Sequence, residues 1–418
     1  MFQLIDSELL ILAHEQPQES ASKSNITKKV QELPVLQLAF RSFFLLATLC
    51  SLVGVGVWIL FLNGYFVLEA AINPTSLHMH EMIFGFGATV ATGFLLTAVQ
   101  TWTGLPSIKG LALLAVITLW VCVRVFLHLG TDTSLFVAVA LQTMWWLSII
   151  FYFAKLVIIS ANHRNLQFIP ILALLMLLNI GFLLTDFYGH SDIAIHLART
   201  AILMFCVLMG VVGGRVIPFF TVSGARTAPI TPPNNLSIAT ISASLLCAFI
   251  FFLEKFVTTP IPSSLLMIVA GALHLARMLF WRSMSAKRIP LLWSLHLSYA
   301  FVGLGLITLG ISSYSNFIRF GDALHILTIA AMGLMIFSMM SRVSLGHTGR
   351  KLQPSKAISW LFLLIIAAAI TRFALPTMSQ HLLGWNMSAA FWIAACIIFL
   401  TVYFPILTKP RIVDTGRV

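Results

Sequence analysis

Twelve stretches of about 20 predominantly apolar residues, each long enough to cross a bilayer, run through the chain and leave little room for anything else. Six lie at roughly 42–62, 80–102, 110–129, 134–158, 168–185 and 195–215. The other six lie at roughly 236–256, 263–282, 291–310, 323–342, 357–372 and 387–407. Backbone polar groups in lipid must be satisfied internally, which leaves helices as the only reading for spans of this length. The predicted fold is an all-α, polytopic membrane bundle of about twelve transmembrane helices. Only 9% of the 418 residues are charged and 59% are apolar, far from the balance a soluble domain needs.

Net charge is +12, from 25 Lys and Arg against 13 Asp and Glu. In a soluble chain such an excess would point to nucleic acid. Here it sorts by topology, and no nucleic-acid partner is expected. Nineteen of the basic residues fall on one side of the predicted spans, three (Lys255, Arg319, Arg372) on the other, and three (Arg124, Arg199, Arg277) inside. The positive-inside rule then puts both termini in the cytoplasm, in the inner membrane if the source is a bacterium. Three segments are expected: a polar cytoplasmic tail over 1–40, a single twelve-helix domain over 41–408, and a short cytoplasmic tail over 409–418. The N-terminal segment carries Asp6, Glu8, Glu15 and Glu19 and lacks the basic and apolar regions of a signal peptide. Cys50, Cys122, Cys206, Cys247 and Cys396 all lie in apolar runs and form no C-x-x-C pair, so neither a disulfide framework nor a c-type haem attachment is expected.

Ionisable residues inside spans are costly and mark function by default. The orientation places Glu81, Arg124, His128, His196, Arg199 and His325 in the periplasmic half, with His78 just ahead of helix 2 and His80 at its start. His274, Arg277 and His296 fall in the middle or cytoplasmic half. His78, His80, His196 and His325 open helices 2, 6 and 10 and are the candidate metal ligands, since neutral imidazole is a common one. At 100° per residue, His78 and His80 diverge on a helix. Either His78 sits in a turn before the helix, or the two imidazoles address two faces. Glu81 would orient an imidazole through its second N–H or move protons, and is the candidate catalytic residue.

Helix 6 aligns His196, Arg199, Leu203, Cys206, Gly210 and Gly213 on one stripe, a pattern that suits a flat macrocycle whose propionates need cations. Arg124 with His128 on helix 3 could serve in the same way. Helix 10 carries His325, Thr328, Met332, Met335 and Met339 at the same spacing, and thioethers favour Cu(I). His274 with Arg277, and His296 with Tyr299, mark a second, deeper centre flanked by Trp281 and Trp293. No span carries an Asp and Glu chain, which weakens an ion-pump reading, and phosphate-loop, H-E-x-x-H and G-x-S-x-G patterns are missing.

The segment LHMHEMIFGFGATVATGFLLTAVQTWTG at 77–104 resembles the NnrS family. So do Gly213-Gly214-Arg215-Val216-Ile217-Pro218 and Gly346-His347-Thr348-Gly349-Arg350. The resemblance spans about 41–407. It implies a polytopic protein with haem, one or two b-type groups, and copper, associated with bacterial resistance to nitric oxide. The family's H-x-H-E falls on His78, His80 and Glu81, and further family histidines on His196, His274, His296, His325 and His347; the last, in a Gly-flanked turn, reads as structural or regulatory. The architecture is also similar to the catalytic subunit of haem-copper oxidases, where the two His of an H-x-H serve different haems. Here the H-x-H is on helix 2, helix 10 has one His, and no adjacent His pair exists for a copper site.

Three functions follow as expectations. The first is a haem protein that binds or reduces nitric oxide on the periplasmic side, with electrons from quinol or a redox partner. The second is a non-catalytic sensor or metal-handling protein that limits iron dinitrosyl damage. The third is a twelve-helix transporter, for which Gly54-Val55-Gly56 and 303–305 are the candidate helix breaks.

Overall fold

The computed structural model describes residues 29–412. Most of the expected N-terminal tail and the last six residues of the C-terminal one lie outside that range. About 80% of the chain is helical, and the described residues include no strand. Twelve helices are long and apolar enough to span a membrane: α1 Ala39–Leu62, α2 Pro74–Thr103, α3 Gly110–Leu127, α4 Asp132–Ile159, α5 His163–Phe187, α6 Ser191–Ala225, α7 Asn234–Leu253, α8 Ser263–Trp281, α9 Pro290–Ser312, α10 Phe320–His347, α11 Lys356–Thr377 and α12 His381–Thr408. The protein is a multi-pass membrane protein.

Burial separates the helices into two sets. In α2, α6, α9 and α10, 78%, 72%, 61% and 72% of the most apolar stretch is buried, against 22–44% in the other eight. The four form the core, and the others wrap it and present Leu, Ile and Phe outward, as a lipid-facing shell requires. The three helices that open with the H-x-H, His196 and His325 are thus all central ones.

Several boundaries differ from the apolar runs in a way that polar capping explains. Helix α2 begins six residues before His80, because Pro74 occupies its first position and Asn73 caps it by accepting from Thr75 N at 2.9 Å. Asp186 on α5 fixes that start: its carboxylate accepts from Asn73 N at 2.7 Å and from Ser76 Oγ at 2.8 Å. His78 therefore lies within the helix and not in a turn before it. Helix α6 runs on through Pro218 to Ala225, which shortens the expected loop after Arg215. Membrane helices tolerate such a proline because neighbouring groups satisfy the freed backbone. Helix α10 extends to His347, where Gly349 turns the chain at φ +74°.

Two turns depart from α-geometry. Residues Glu81–Ala88 in α2 and Ile326–Gly333 in α10 are π-helical, and each begins immediately after a histidine, His80 and His325. Such wide turns are rare and concentrate at functional sites. In α2 the turn contains Gly85, where a Cβ would stand 2.7 Å from Oε2 of Glu81. The glycine makes room for the carboxylate.

Candidate functional site

The start of α2 carries the densest set of buried polar groups. His80 is fully buried and Glu81 is 4% exposed. Nδ1 of His80 lies 3.1 Å from Glu81 Oε1, and the Cys50 thiol of α1 donates to Oε2 at 2.9 Å. Arg124 of α3 brings Nε to 3.3 Å from Glu81 Oε1 and donates from Nη2 to Gln142 Oε1 of α4 at 3.1 Å, while Nη1 has no partner. Its guanidinium lies over the Trp120 ring at 4.9 Å. One carboxylate thus meets a cation, an imidazole and a thiol contributed by three helices.

The two imidazoles of the H-x-H point apart. His78 stacks on Trp58 of α1, with ring centroids 4.6 Å apart and planes 14° from parallel. His80 faces α5 instead, at 6.3 Å from Phe182. Of the two arrangements the sequence left open, the opposed one is present. Nδ1 of His78 and Nε2 of His80 are both buried without a hydrogen-bond partner. Buried polar groups are nearly always paired, so these two nitrogens are the feature that most calls for a ligand.

A slot of about 230 Å³ opens beside His78, walled by α1, α2 and α3 and lined by Cys50, Trp58, His78, Glu81, Arg124 and His128 among apolar side chains; His80, on the α5 side, does not line it. His128 closes one end, its Nδ1 2.7 Å from the Arg124 carbonyl.

The other candidate histidines do not line the slot; both ring nitrogens of His274 and His296 are engaged, and one nitrogen each of His196 and His325. His196 stacks on Phe251 of α7 at 4.5 Å, and its Nε2 lies 3.2 Å from the Phe252 carbonyl. Arg199 lies over Phe320 at 4.7 Å, with Phe251 and Phe320 stacked between the two. His274 is held through Nε2 by Ser244 Oγ at 3.0 Å and through Nδ1 by Tyr299 OH at 2.9 Å. His296 is held by Thr221 Oγ1 at 2.8 Å and Ser283 Oγ at 2.9 Å. Nδ1 of His325 lies 2.6 Å from the Gly321 carbonyl. His347 packs on Phe40. The glycine stripe of α6 receives protein side chains: a Cβ at Gly210 would meet His274, at Gly213 Tyr299, and at Gly214 the Arg277 guanidinium. The methionines Met332, Met335 and Met339 line a separate apolar cavity of about 80 Å³ with Met209 of α6.

Whether these residues suit haem or copper can be asked of the donors. A ligand imidazole that offers one nitrogen while a carboxylate holds the other is the usual arrangement at a metal, and His80 with Glu81 has it. Arg124 keeps an N–H free for an anionic group. At the slot itself, the free donors are Nδ1 of His78 and Nη1 of Arg124, a set that fits one ligand to a haem iron and one partner for a propionate. The slot is smaller than the roughly 300–1,000 Å³ of small-molecule sites, so a macrocycle there would require the Trp58 ring to leave His78. Among the described residues no three of His, Cys, Asp and Glu converge as a metal-ligand group, and the donors do not assemble a multi-ligand copper centre.

The family profile described as NnrS protein matches residues 34–411, nearly the whole described chain. The chain belongs to the NnrS family. Membership makes it a nitric oxide response-related membrane protein. No curated protein matches it. The family's H-x-H-E signature is the segment that the fold buries at the slot.

Cys50, Trp58, Gln142 and Asp186 belong to the site and carry no signal in the sequence. Each is an ordinary residue of a span or its edge, and only the packing of α1, α4 and α5 against α2 and α3 brings them in.

Proposed function

We propose that the protein is a haem-dependent bacterial inner-membrane protein that binds nitric oxide, and removes it by reduction, at the His78–Glu81 end of α2, which the positive-inside rule assigns to the periplasm. The observation that carries this reading is the buried, unpartnered Nδ1 of His78, which lines an apolar slot beside Glu81 and Arg124. Bound there, haem would supply the iron that takes up nitric oxide and the redox centre that passes electrons to it. His78 would hold the group through its free Nδ1, while Glu81 keeps His80 Nδ1 engaged on the α5 side. Arg124 offers Nη1 to a propionate. Trp58 closes the slot as a flat, apolar wall that admits a neutral diatomic from the lipid and keeps bulk water away.

Reduction of two nitric oxide molecules to nitrous oxide and water consumes two electrons and two protons. A quinol or a protein redox partner supplies the electrons. Glu81, the one carboxylate lining the slot, hands protons inward through Oε2 beside the Cys50 thiol.

An anaerobic optical spectrum of the dithionite-reduced protein, with iron and copper analysis, before and after nitric oxide, tests the proposal. Soret and alpha bands that shift with nitric oxide are expected. Iron-free protein with a featureless spectrum, purified from haem-replete cells, would overturn it. A donor-driven assay then separates the two modes: sustained consumption establishes reduction, and one equivalent taken up per protein establishes stoichiometric binding.

A further inference from the structure

The family signature Gly213-Gly214-Arg215-Val216-Ile217-Pro218 lies at the opposite end of the bundle and plays no part in the slot. It borders the most spacious of the cavities described, about 690 Å³, between α5, α6, α7 and α8. Three arginines line it, Arg164, Arg215 and Arg277, and no Asp or Glu does. Among the described residues none of the three is paired with a carboxylate.

The arginines are held in place by neutral groups. Arg277 is 6% exposed, donates from Nη1 to the Gly210 carbonyl at 2.8 Å and from Nε to Ser237 Oγ at 3.1 Å, and makes no hydrogen bond through Nη2. Its guanidinium rests where a side chain at Gly214 would otherwise be, which gives that glycine a reason. Arg215 donates to Asn165 Oδ1 at 2.9 Å and to the Arg164 carbonyl at 3.1 Å. These bonds orient both cations and neutralise neither. The 20-residue helix α7 begins at Asn234, a lining residue, and has no side-chain cap. An uncapped helix start adds free N–H groups and the positive end of a helix dipole.

A buried guanidinium without a counter-charge is costly, and three in one cavity repel one another. An anion with several acceptor oxygens meets their donors, and guanidinium is the group best matched to phosphate oxygens. We propose that this cavity is a binding site for a phosphate ester. Phe219 and Ile238, 66% and 56% exposed, stand at its rim on α6 and α7. Two sources share the chemistry: the headgroup of an anionic phospholipid, whose chains would lie along that rim, and a soluble phosphate compound. The site is independent of the haem reading, and its failure would leave that reading intact.

The test uses the full chain in a neutral maltoside detergent, with thermal stability and native mass spectrometry as readouts. The probes are short-chain phosphatidylglycerol, phosphatidylcholine of equal chain length, and inorganic phosphate. The expected result is saturable binding of phosphatidylglycerol, phosphate or both, weakened at least about tenfold by Arg215→Gln and by Arg164→Gln, and unchanged by Arg288→Gln on a neighbouring exposed loop. Binding of phosphatidylglycerol without competition by phosphate identifies a lipid headgroup, and binding of phosphate alone a soluble ester. Equal binding of the two lipids, or full affinity in both cavity variants, would overturn the proposal. Because the Arg164 side chain is exposed, its variant reports on binding even if that of Arg215 fails to fold.

Discussion

Glu81 of α2 and Arg124 of α3 form an ion pair, Oε1 to Nε 3.3 Å, with side chains only 6% and 12% exposed. It joins a core helix to a peripheral one at the end of the bundle where the H-x-H-E signature is buried. A buried pair adds little net stability when intact, but removing one partner strands the other charge at a cost of about 3–5 kcal/mol.

Arg124→Gln is therefore expected to lower the unfolding midpoint of the detergent-solubilised protein sharply, and Glu81→Gln less, since the amide still meets His80 and Cys50. The double variant should recover part of the loss, a coupling that a double-mutant cycle measures. Additive losses would mean that the two groups do not interact.

Ring-nitrogen occupancy separates the histidines. His78→Ala is expected to abolish the nitric oxide-induced shift of the Soret band. His196→Ala and His296→Gln should retain it, because their nitrogens already serve Phe252, Thr221 and Ser283. Loss of the band in His196→Ala with His78→Ala unaffected would move the proposed ligand to α6.

Tyr299 OH ties His274 Nδ1 at 2.9 Å to Arg277 Nη1 at 3.3 Å within the core. Tyr299→Phe leaves a buried imidazole nitrogen unpaired, and a loss of about 1–3 kcal/mol is expected in thermal or denaturant unfolding. Gly214→Ala should cost a comparable amount by overpacking against Arg277. Gly56→Ala, in α1 with open space around its Cβ position, should be neutral or slightly stabilising.

The orientation is open to direct labelling. In a variant free of native cysteines, Asn316→Cys, in the segment between α9 and α10, should react with a membrane-impermeant maleimide in cells whose outer membrane alone is permeabilised. His163→Cys, at the start of α5, should react only after the inner membrane is opened. The reverse pattern would invert the topology and place the H-x-H-E end in the cytoplasm.

The twelve spans and their order were legible in the sequence, because lipid demands runs of apolar residues that can be counted. So was the divergence of His78 and His80, which follows from helix geometry once both residues are in one helix. What the sequence by itself could not determine is which histidines keep a free nitrogen. His274 and His296 look like ligands along the chain. Only packing brings Ser244, Tyr299, Thr221 and Ser283 to them from other helices. Likewise the stripe of Gly210 and Gly213 is compatible with a macrocycle in one dimension, whereas in three it is filled by His274 and Tyr299. In a chain this apolar, burial and hydrophobic pattern carry the topology, and the few polar contacts that select a site are long-range. Tertiary structure decides them, since each depends on which helix faces which.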